Sequence, residues 1–341
     1  MADPRPRLPA FYGGLLVVDK PAGWTSHDVV ARCRRVFGLR KVGHAGTLDP
    51  DATGVLLVGL GTVTRLLRFL SGQPKSYRAE VVLGVATSTL DASGEVTGRW
   101  DMGSVTLNDA RAATAAFTGT IAQIPPMVSA VHVGGRRLHE LAREGIEVER
   151  AARTVTVTRF DLDGLVAPST EGEVGPVFSA AVDCSTGTYI RSLAADLGAA
   201  LGGGAHLRNL RRTAVGPYTL ADAVPLDDIS LAAVRPPQDA LPGMAAVAVG
   251  EPLVAAVGHG KVLAPAELGV NGDGPWAILS PEGRLLAVYQ ACPDGRVKPA
   301  VVLAAADPTE AVDPVGPIDT VDPIGAVDPI DAVGRSGSGP R

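Results

Sequence analysis

Between Gly43 and Gly54 the chain reads Gly-His-Ala-Gly-Thr-Leu-Asp-Pro-Asp-Ala-Thr-Gly, a loop that gathers one histidine, two aspartates and four glycines or prolines before an apolar run starts at Val55. Asp49 directly precedes Pro50, and a proline ring restricts the residue before it to extended or turn geometry, which aims the carboxylate. A carboxylate aimed in this way can act as a base or a nucleophile. It can equally close an Asx turn, and spacing alone leaves both readings open. His44 has the same duality, as a group that acts on a substrate or as a brace within the loop. Asp49 and Asp51 are too near in sequence to face each other across a sugar at the ~5 Å or more that glycoside hydrolysis needs, so that chemistry is disfavoured.

Other chemical signals are weaker. Gly59-Leu-Gly61 stands between an apolar strand and a helix, but Thr64 occupies the third glycine position of a dinucleotide fingerprint. Gly202-Gly-Gly204 lacks the lysine and hydroxyl of a phosphate-binding loop and reads as a flexible turn. Cys33, Cys184 and Cys292 are odd in number and far apart, so neither a disulfide framework nor a zinc site is signalled. Basic residues cluster instead. Residues 1 to 78 hold twelve Lys and Arg against five Asp, and further arginines gather at Arg136, Arg137 and Arg143 and at Arg191, Arg208, Arg211 and Arg212. Such a surface suits a polyanion or is simply solvated.

The elements that must position these residues follow from periodicity. Gly14 to Asp19 reads as a strand. From Ser26 the positions Val29, Val30, Cys33, Val36 and Phe37 follow helical spacing, with Ser26 expected to cap the start and Gly38 the end. A long loop at 39 to 54 leads to a strand at Val55 to Leu60 and a helix near Val63 to Leu70. Residues 77 to 87 alternate as a strand does, Thr106 or Asn108 opens an Ala-rich helix ending near Thr118, and strands recur at 153 to 160 and 177 to 184. A helix from Thr188 buries Ile190, Leu193, Leu197 and Leu201, with Arg191 in its first turn. Short apolar runs and turn signals at 247 to 305 read as a small β-barrel module.

In this order, Asp19-Lys-Pro-Ala-Gly-Trp-Thr-Ser26, Lys41-Val-Gly-His-Ala-Gly-Thr-Leu-Asp-Pro50, Lys75-Ser-Tyr77, Asp91-Ala-Ser-Gly94, Gln123 with Pro125-Pro126, Cys184-Ser-Thr-Gly-Thr-Tyr-Ile-Arg191 and Leu210-Arg-Arg212 resemble the TruB family of bacterial tRNA pseudouridine-55 synthases over roughly residues 13 to 220. The resemblance implies an α+β pseudouridine synthase fold, a mixed and largely antiparallel sheet flanked by helices. It also implies a PUA-like carboxyl-terminal module at 247 to 305, after a catalytic domain at 13 to 246. The implied reaction detaches a T-loop uridine base of tRNA from its ribose, rotates it and rejoins it through carbon 5, with no cofactor and no metal.

By the same resemblance Asp49 is the catalytic aspartate, Arg191 its partner, and Tyr77 the tyrosine that stacks on the target base and helps remove the carbon-5 proton. A guanidinium beside Asp49 is expected to lower its pKa and keep it ionised. His44 matches the residue that fills the gap left by the flipped nucleotide. Lys20 supports the aspartate loop or touches substrate, and Tyr189 packs the floor of the site. Residues 123 to 153 match an insertion that closes over the RNA stem-loop, with Arg136 and Arg143, and Arg211 outside it, as further substrate contacts. The family's usual tyrosine, lysine and tyrosine are replaced there by Val128, His132 and His139.

Composition sets the frame. The chain has 341 residues, 46% hydrophobic and 20% charged, enough for a buried core and more than one domain. No apolar run reaches the roughly 18 residues of a membrane helix, and the amino terminus carries no apolar secretion core, so a cytoplasmic monomer is expected, with no membrane partner. A flexible arm is expected at 1 to 12. The net charge of −5 comes from residues 307 to 341, where seven acids face two arginines among six prolines; a disordered Val-Asp-Pro tail is expected at 306 to 341. A tRNA-folding factor that acts without catalysis is the competing function, and only the enzyme requires Asp49.

Overall fold

A computed structural model describes residues 13–129, 132–133, 135–146, 148–166 and 175–303; the expected arm at 1–12 and tail at 306–341 lie outside the described residues. The first half of the chain contains β1 (Gly13–Lys20), α1 (Ser26–Phe37), β2 (Val42–Ala45), β3 (Thr53–Gly61), α2 (Leu67–Ser71), β4 (Lys75–Leu83), β5 (Val85–Thr87) and β6 (Val96–Arg99). Next come α3 (Leu107–Thr114), β7 (Gly119–Gln123), β8 (His132–Val133), β9 (Arg136–Arg137), α4 (Leu138–Arg143), β10 (Arg153–Val166) and β11 (Val177–Cys184). The larger unit closes with α5 (Ile190–Ala200), β12 (Ala205–Val215), β13 (Tyr218–Thr219) and β14 (Val224–Pro225).

The main sheet runs β14-β1-β3-β12-β4-β11-β10-β7, with β2 on β3 and β13 on β12. Only β1/β14 and β3/β12 pair in parallel; the other neighbours are antiparallel, giving the expected mixed and largely antiparallel sheet. The unbroken Leu15-Leu-Val-Val18 run of β1 is explained by burial on both faces. Leu16 and Val18 pack with Val29, Val30 and Cys33 of α1, while Leu15 and Val17 join Leu66 and Leu70. α5 lays Leu193 and Leu197 on the sheet against Val81 and Leu83 of β4, with Ala110 of α3 beside them.

Three local expectations are corrected. The cap of α1 is Thr25, in a reciprocal box with Asp28, because the Ser26 hydroxyl is committed to Leu48, accepting its N–H at 2.9 Å and donating to its carbonyl at 3.2 Å. The loop expected at 39–54 contains β2, an edge strand that pairs Val42 with Leu60 and His44 with Val58. The strand expected at 77–87 breaks at Gly84, whose φ of +85° turns the chain so that β5 pairs β6 instead. Gly54 is demanded by geometry: its φ is +102°, and a Cβ there would sit 2.1 Å from the Arg212 carbonyl oxygen. That contact lets β3 meet β12 directly after the Asp49 loop.

Beyond β14, a second sheet is formed by β15 (Ala245–Ala248), β16 (Trp276–Leu279), β17 (Leu285–Ala291) and β18 (Val297–Val302), in that order, with α6 (Glu251–Gly258) and α7 (Pro265–Leu268). It docks on the α2 side of the main sheet. Ala277, Leu285 and Val301 share a core with Leu66 and Leu70, and Arg65 and Arg68 donate to the carbonyls of Val302 and Ala300 at 2.7 and 2.9 Å. No helix among the described residues is long and apolar enough to cross a membrane.

Candidate active site

Asp49 stands at the floor of a cleft of about 750 Å³ bounded by the Asp49–Ala52 loop, the turn at Asp91–Gly94 and β12 residues His206 to Leu210. Arg191 reaches the same point from the first turn of α5. Its Nε lies 3.0 Å from Asp49 Oδ2, and its Nη2 donates to Oδ1 at 3.3 Å, a two-pronged grip. The guanidinium is fixed by two further donations, from Nη1 to the Thr89 carbonyl at 2.8 Å and from Nη2 to the Val128 carbonyl at 2.9 Å. The arginine side chain is 5% exposed and that of the aspartate 41%. Both groups line the cleft, and the carboxylate offers a ligand far more of its surface than the cation does.

Asp91 completes the cluster, and sequence reasoning gave it no role although its motif was recognised. Its Oδ2 lies 3.6 Å from Arg191 Nε, and its Oδ1 accepts from the Thr89 and Ser93 hydroxyls, each at 2.6 Å, and from the Ser93 N–H at 3.1 Å. The turn that presents it has Leu90 at φ +63°, a conformation unusual for a branched side chain. Asp-Ala-Ser-Gly suggested a turn; nothing local could tell that it closes on residues 42 and 100 positions away. The expected depression of the Asp49 pKa is reversed: burial, the largest effect, raises it and Asp91 adds to the rise, while Arg191 and Lys20 pull against both.

Beneath the loop are buried cations that bind carbonyls rather than acids. Lys20, fully buried, donates to the carbonyls of Pro21, Trp24 and Pro50 at 2.9, 2.6 and 2.8 Å, so its ammonium ties β1 to the residue following Asp49. Burial lowers its pKa to about 8, against the pull of Asp51 and Asp49. Arg212, also buried, donates to the carbonyls of Val55, Thr47 and Gly46 at 2.7, 3.3 and 3.0 Å. Arg211 beside it grips Asp19 with two prongs at 3.1 and 2.6 Å and reaches the Thr53 hydroxyl at 3.2 Å.

Tyr77 does not line the cleft wall. It is buried in β4 opposite Arg212, in one cluster with Leu48 and Ala52. Burial raises its pKa, so the hydroxyl stays protonated at neutral pH. His44, on β2, packs edge-on against His27 of α1 with ring centroids 5.4 Å apart; its Nδ1 is buried without a partner. Burial lowers its pKa to about 4, helped by His27 and Arg212, so the ring is neutral.

Tyr189 is the residue before α5, and Gln123 at the end of β7 bonds its backbone on both sides, accepting its N–H at 2.8 Å and donating to its carbonyl at 3.1 Å. β7 and β10 pair Gln123 with Arg153, so residues 124 to 152 leave and re-enter the sheet at one point. Within it Arg136 is exposed and paired with Glu144 at 2.5 Å. The backbone of Arg143 ends α4, and the side chains of Arg143, His132 and His139 lie outside the described residues. The structure thus gathers Asp49 and Arg191 with Lys20 and Tyr77 beneath the same loop, sets Arg211 beside it, and leaves Arg136 apart.

The family model for the amino-terminal domain of TruB family pseudouridylate synthases matches residues 34–190, and that for the carboxyl-terminal domain of tRNA pseudouridylate synthase B matches residues 191–241. The chain is 46% identical over 306 residues to a tRNA pseudouridine synthase B of Mycobacterium sp. (strain KMS), covering 86% of this chain and 97% of that protein. It is 46% identical over 297 residues to the protein of the same name from Thermobifida fusca (strain YX), covering 86% and 99%. Among solved structures, a Cbf5-Nop10-Gar1 complex contains a chain 30% identical with a TM-score of 0.60, covering 82% of this chain and 78% of that one. An H/ACA RNP bound to a substrate RNA containing 2'-deoxyuridine contains a chain 26% identical with a TM-score of 0.63, covering 90% and 93%.

Proposed function

Since the chain belongs to the TruB family of pseudouridylate synthases, and is thereby an isomerase, we propose that it converts uridine 55 in the T-loop of tRNA to pseudouridine, with Asp49 as the catalytic carboxylate. The observation that carries this reading is the two-pronged grip of buried Arg191 on Asp49 at the open floor of the cleft. The grip fixes the carboxylate before substrate arrives, so no reorganisation is needed when it attacks or takes a proton.

The bonds that change in a T-loop uridine are inaccessible while its base is stacked, so the nucleotide flips into the cleft, at a cost of a few kcal/mol for unstacking. His44, neutral and flat, fills the vacated place. Tyr77 lies buried beneath the Asp49 loop and off the cleft lining, so the stacking role that the family implies for it requires the flipped base to reach past that loop. Lys20 holds that loop; Tyr189 forms the floor, and Arg136, Arg143 and Arg211 meet phosphates. The unit at 247 to 305 is read as a PUA-like accessory module, and the enzyme as a cytoplasmic monomer.

The test incubates the full chain with an unmodified tRNA transcript and maps pseudouridine at single-nucleotide resolution. A single product at uridine 55, absent with Asp49→Ala, is expected. Tight binding without product would transfer the protein to the folding-factor reading, and product at other uridines would overturn the substrate position while keeping the chemistry.

A further inference from the structure

α5 begins without a side-chain cap: Tyr189 at its N-cap offers no oxygen to the first turn, and that turn holds no acidic residue. Yet this end carries Arg191, and the first N–H groups of a helix need acceptors from elsewhere. Gln123 supplies the fixing contact from another strand. Its amide, 2% exposed, brackets the Tyr189 backbone with both of its polar atoms used. Two more bonds follow the same seam, from the Ser192 hydroxyl to the Ile124 carbonyl at 3.2 Å and from Arg191 Nη2 to the Val128 carbonyl at 2.9 Å. Gln123, Ile124 and Val128, at the passage into the insertion, are thus fastened to the start of α5.

We propose that Gln123 is a positioning residue, setting the Arg191–Asp49 geometry by locking the start of α5 to the root of the insertion. The proposal deepens the reading of the site given above and rests on it. Because Arg191 Nη2 is shared between Asp49 and the Val128 carbonyl, a shift of the root of the insertion by even a fraction of an ångström redistributes that donor. RNA seated under the insertion is thereby connected to the carboxylate through two residues of backbone and one amide.

The test compares Gln123→Met, which keeps the length of the side chain and removes both bonds, with Gln123→Glu, which keeps an acceptor for the Tyr189 N–H and loses the donor to its carbonyl. Single-turnover rates, tRNA affinity and the pH dependence of the rate are measured for each. A misplacement of about 1 Å at a reacting group costs about 100-fold in rate; a fall of that order is expected for Gln123→Met, a smaller one for Gln123→Glu, and affinity within about threefold of the parent. Asp49 faces Arg191 and Asp91 and feels Lys20. Loosening Arg191 removes a charge that favours the ionised form, so the acid limb moves to higher pH in both variants.

An unchanged rate with an unmoved acid limb in a folded variant overturns the proposal, as does a loss of affinity that accounts for the whole rate effect. If Gln123→Met does not fold, Gln123→Glu decides alone by the same two readouts. A parent protein that forms no pseudouridine refutes the functional reading instead, and the two failures are told apart in the same experiment.

Discussion

The loop that carries Asp49 and the insertion that faces it are built on opposite plans. Residues 46 to 54 are held from below by Lys20, Arg212 and Ser26 and from the side by Arg211, through bonds to the carbonyls of Gly46, Thr47, Leu48 and Pro50 and to Thr53. The insertion at 124 to 152 is anchored near its root, by the Val128 contact and by Arg150, which donates to the Pro125 carbonyl at 3.0 Å. Farther out it displays an exposed ion pair, Arg136 with Glu144, and exposed Ile146. A chemical group must be fixed before its substrate comes, whereas a surface that wraps an RNA must adapt to it. The same residue type stands in both settings: Arg212 is buried on carbonyls as scaffold, and Arg136 is exposed beside a carboxylate.

The sharpest test of that contrast is Asp49→Asn, nearly the same size but without charge. Loss of a residue that performs the chemistry costs many orders of magnitude in comparable enzymes, so a fall of about 1,000-fold or more in single-turnover pseudouridine formation is expected, with tRNA affinity retained. Parallel loss of affinity would mean that the loop binds rather than reacts.

Lys20→Met follows in size. The change removes the ammonium from the part-buried carbonyls of Pro21, Trp24 and Pro50, of which Pro50 keeps the Gly23 N–H at 3.0 Å; a polar group left without a partner costs about 1–3 kcal/mol, less where water reaches it. A destabilisation of about 1–3 kcal/mol in urea melts is expected, together with a slower chemical step. A variant equally stable and equally fast would show that the loop does not depend on its buried ammonium.

The lysine also gives the loop a pH signature. Lys20 titrates at about 8 in the folded protein, against 10.5 ordinarily. Between those values the unfolded chain holds the extra proton, so this group makes stability rise with pH across that window. Activity moves the other way, since a neutral amine has two N–H groups for three carbonyls. The rate is expected to fall above about pH 8 while the urea midpoint does not fall with it, and the difference is expected to vanish in Lys20→Met. Lys75 is likewise lowered to about 8 by burial, which is why parent and variant must be compared at each pH. On the acid side His44, at about 4 in the folded protein, holds fewer protons than the unfolded chain up to its ordinary value, so its contribution erodes stability as pH drops through that interval.

Much of this was legible in the chain itself, and the boundary is instructive. β1, α1, α5 and the Asp49 loop announce themselves by local pattern, and the order of motifs led to Arg191. What stayed hidden depends on tertiary contact. Ser26 looked like the cap of α1, and only the approach of Leu48 shows why Thr25 takes that place. β2 is a strand because β3 offers it an edge, not because Val-Gly-His-Ala favours extension. Lys20 and Arg212 carry charges that suggest surface, and their burial is set by the carbonyls of a loop distant in sequence. Asp91 sits in a turn that local rules find, but its meaning lies in Arg191. The direction of the Asp49 pKa shift needed all three groups at known distances, since burial and a second carboxylate outweigh the partner cation.

Arg136→Ala gives the smallest effect and the finest test of the contrast. Its pair with Glu144 is exposed on both sides, and such pairs contribute about 0–1 kcal/mol, so the urea midpoint should barely move. If the insertion meets the RNA backbone through this arginine, removing it lowers affinity by a few fold and reduces the slope of log affinity against log salt by about one, with no change in the rate of bound substrate. Glu144→Ala then acts in the opposite direction, because it frees Arg136 from a competing carboxylate and tightens binding. Equal losses in both variants would show instead that the pair shapes the insertion, and that this exposed arginine is scaffold in the same sense as the buried one at position 212.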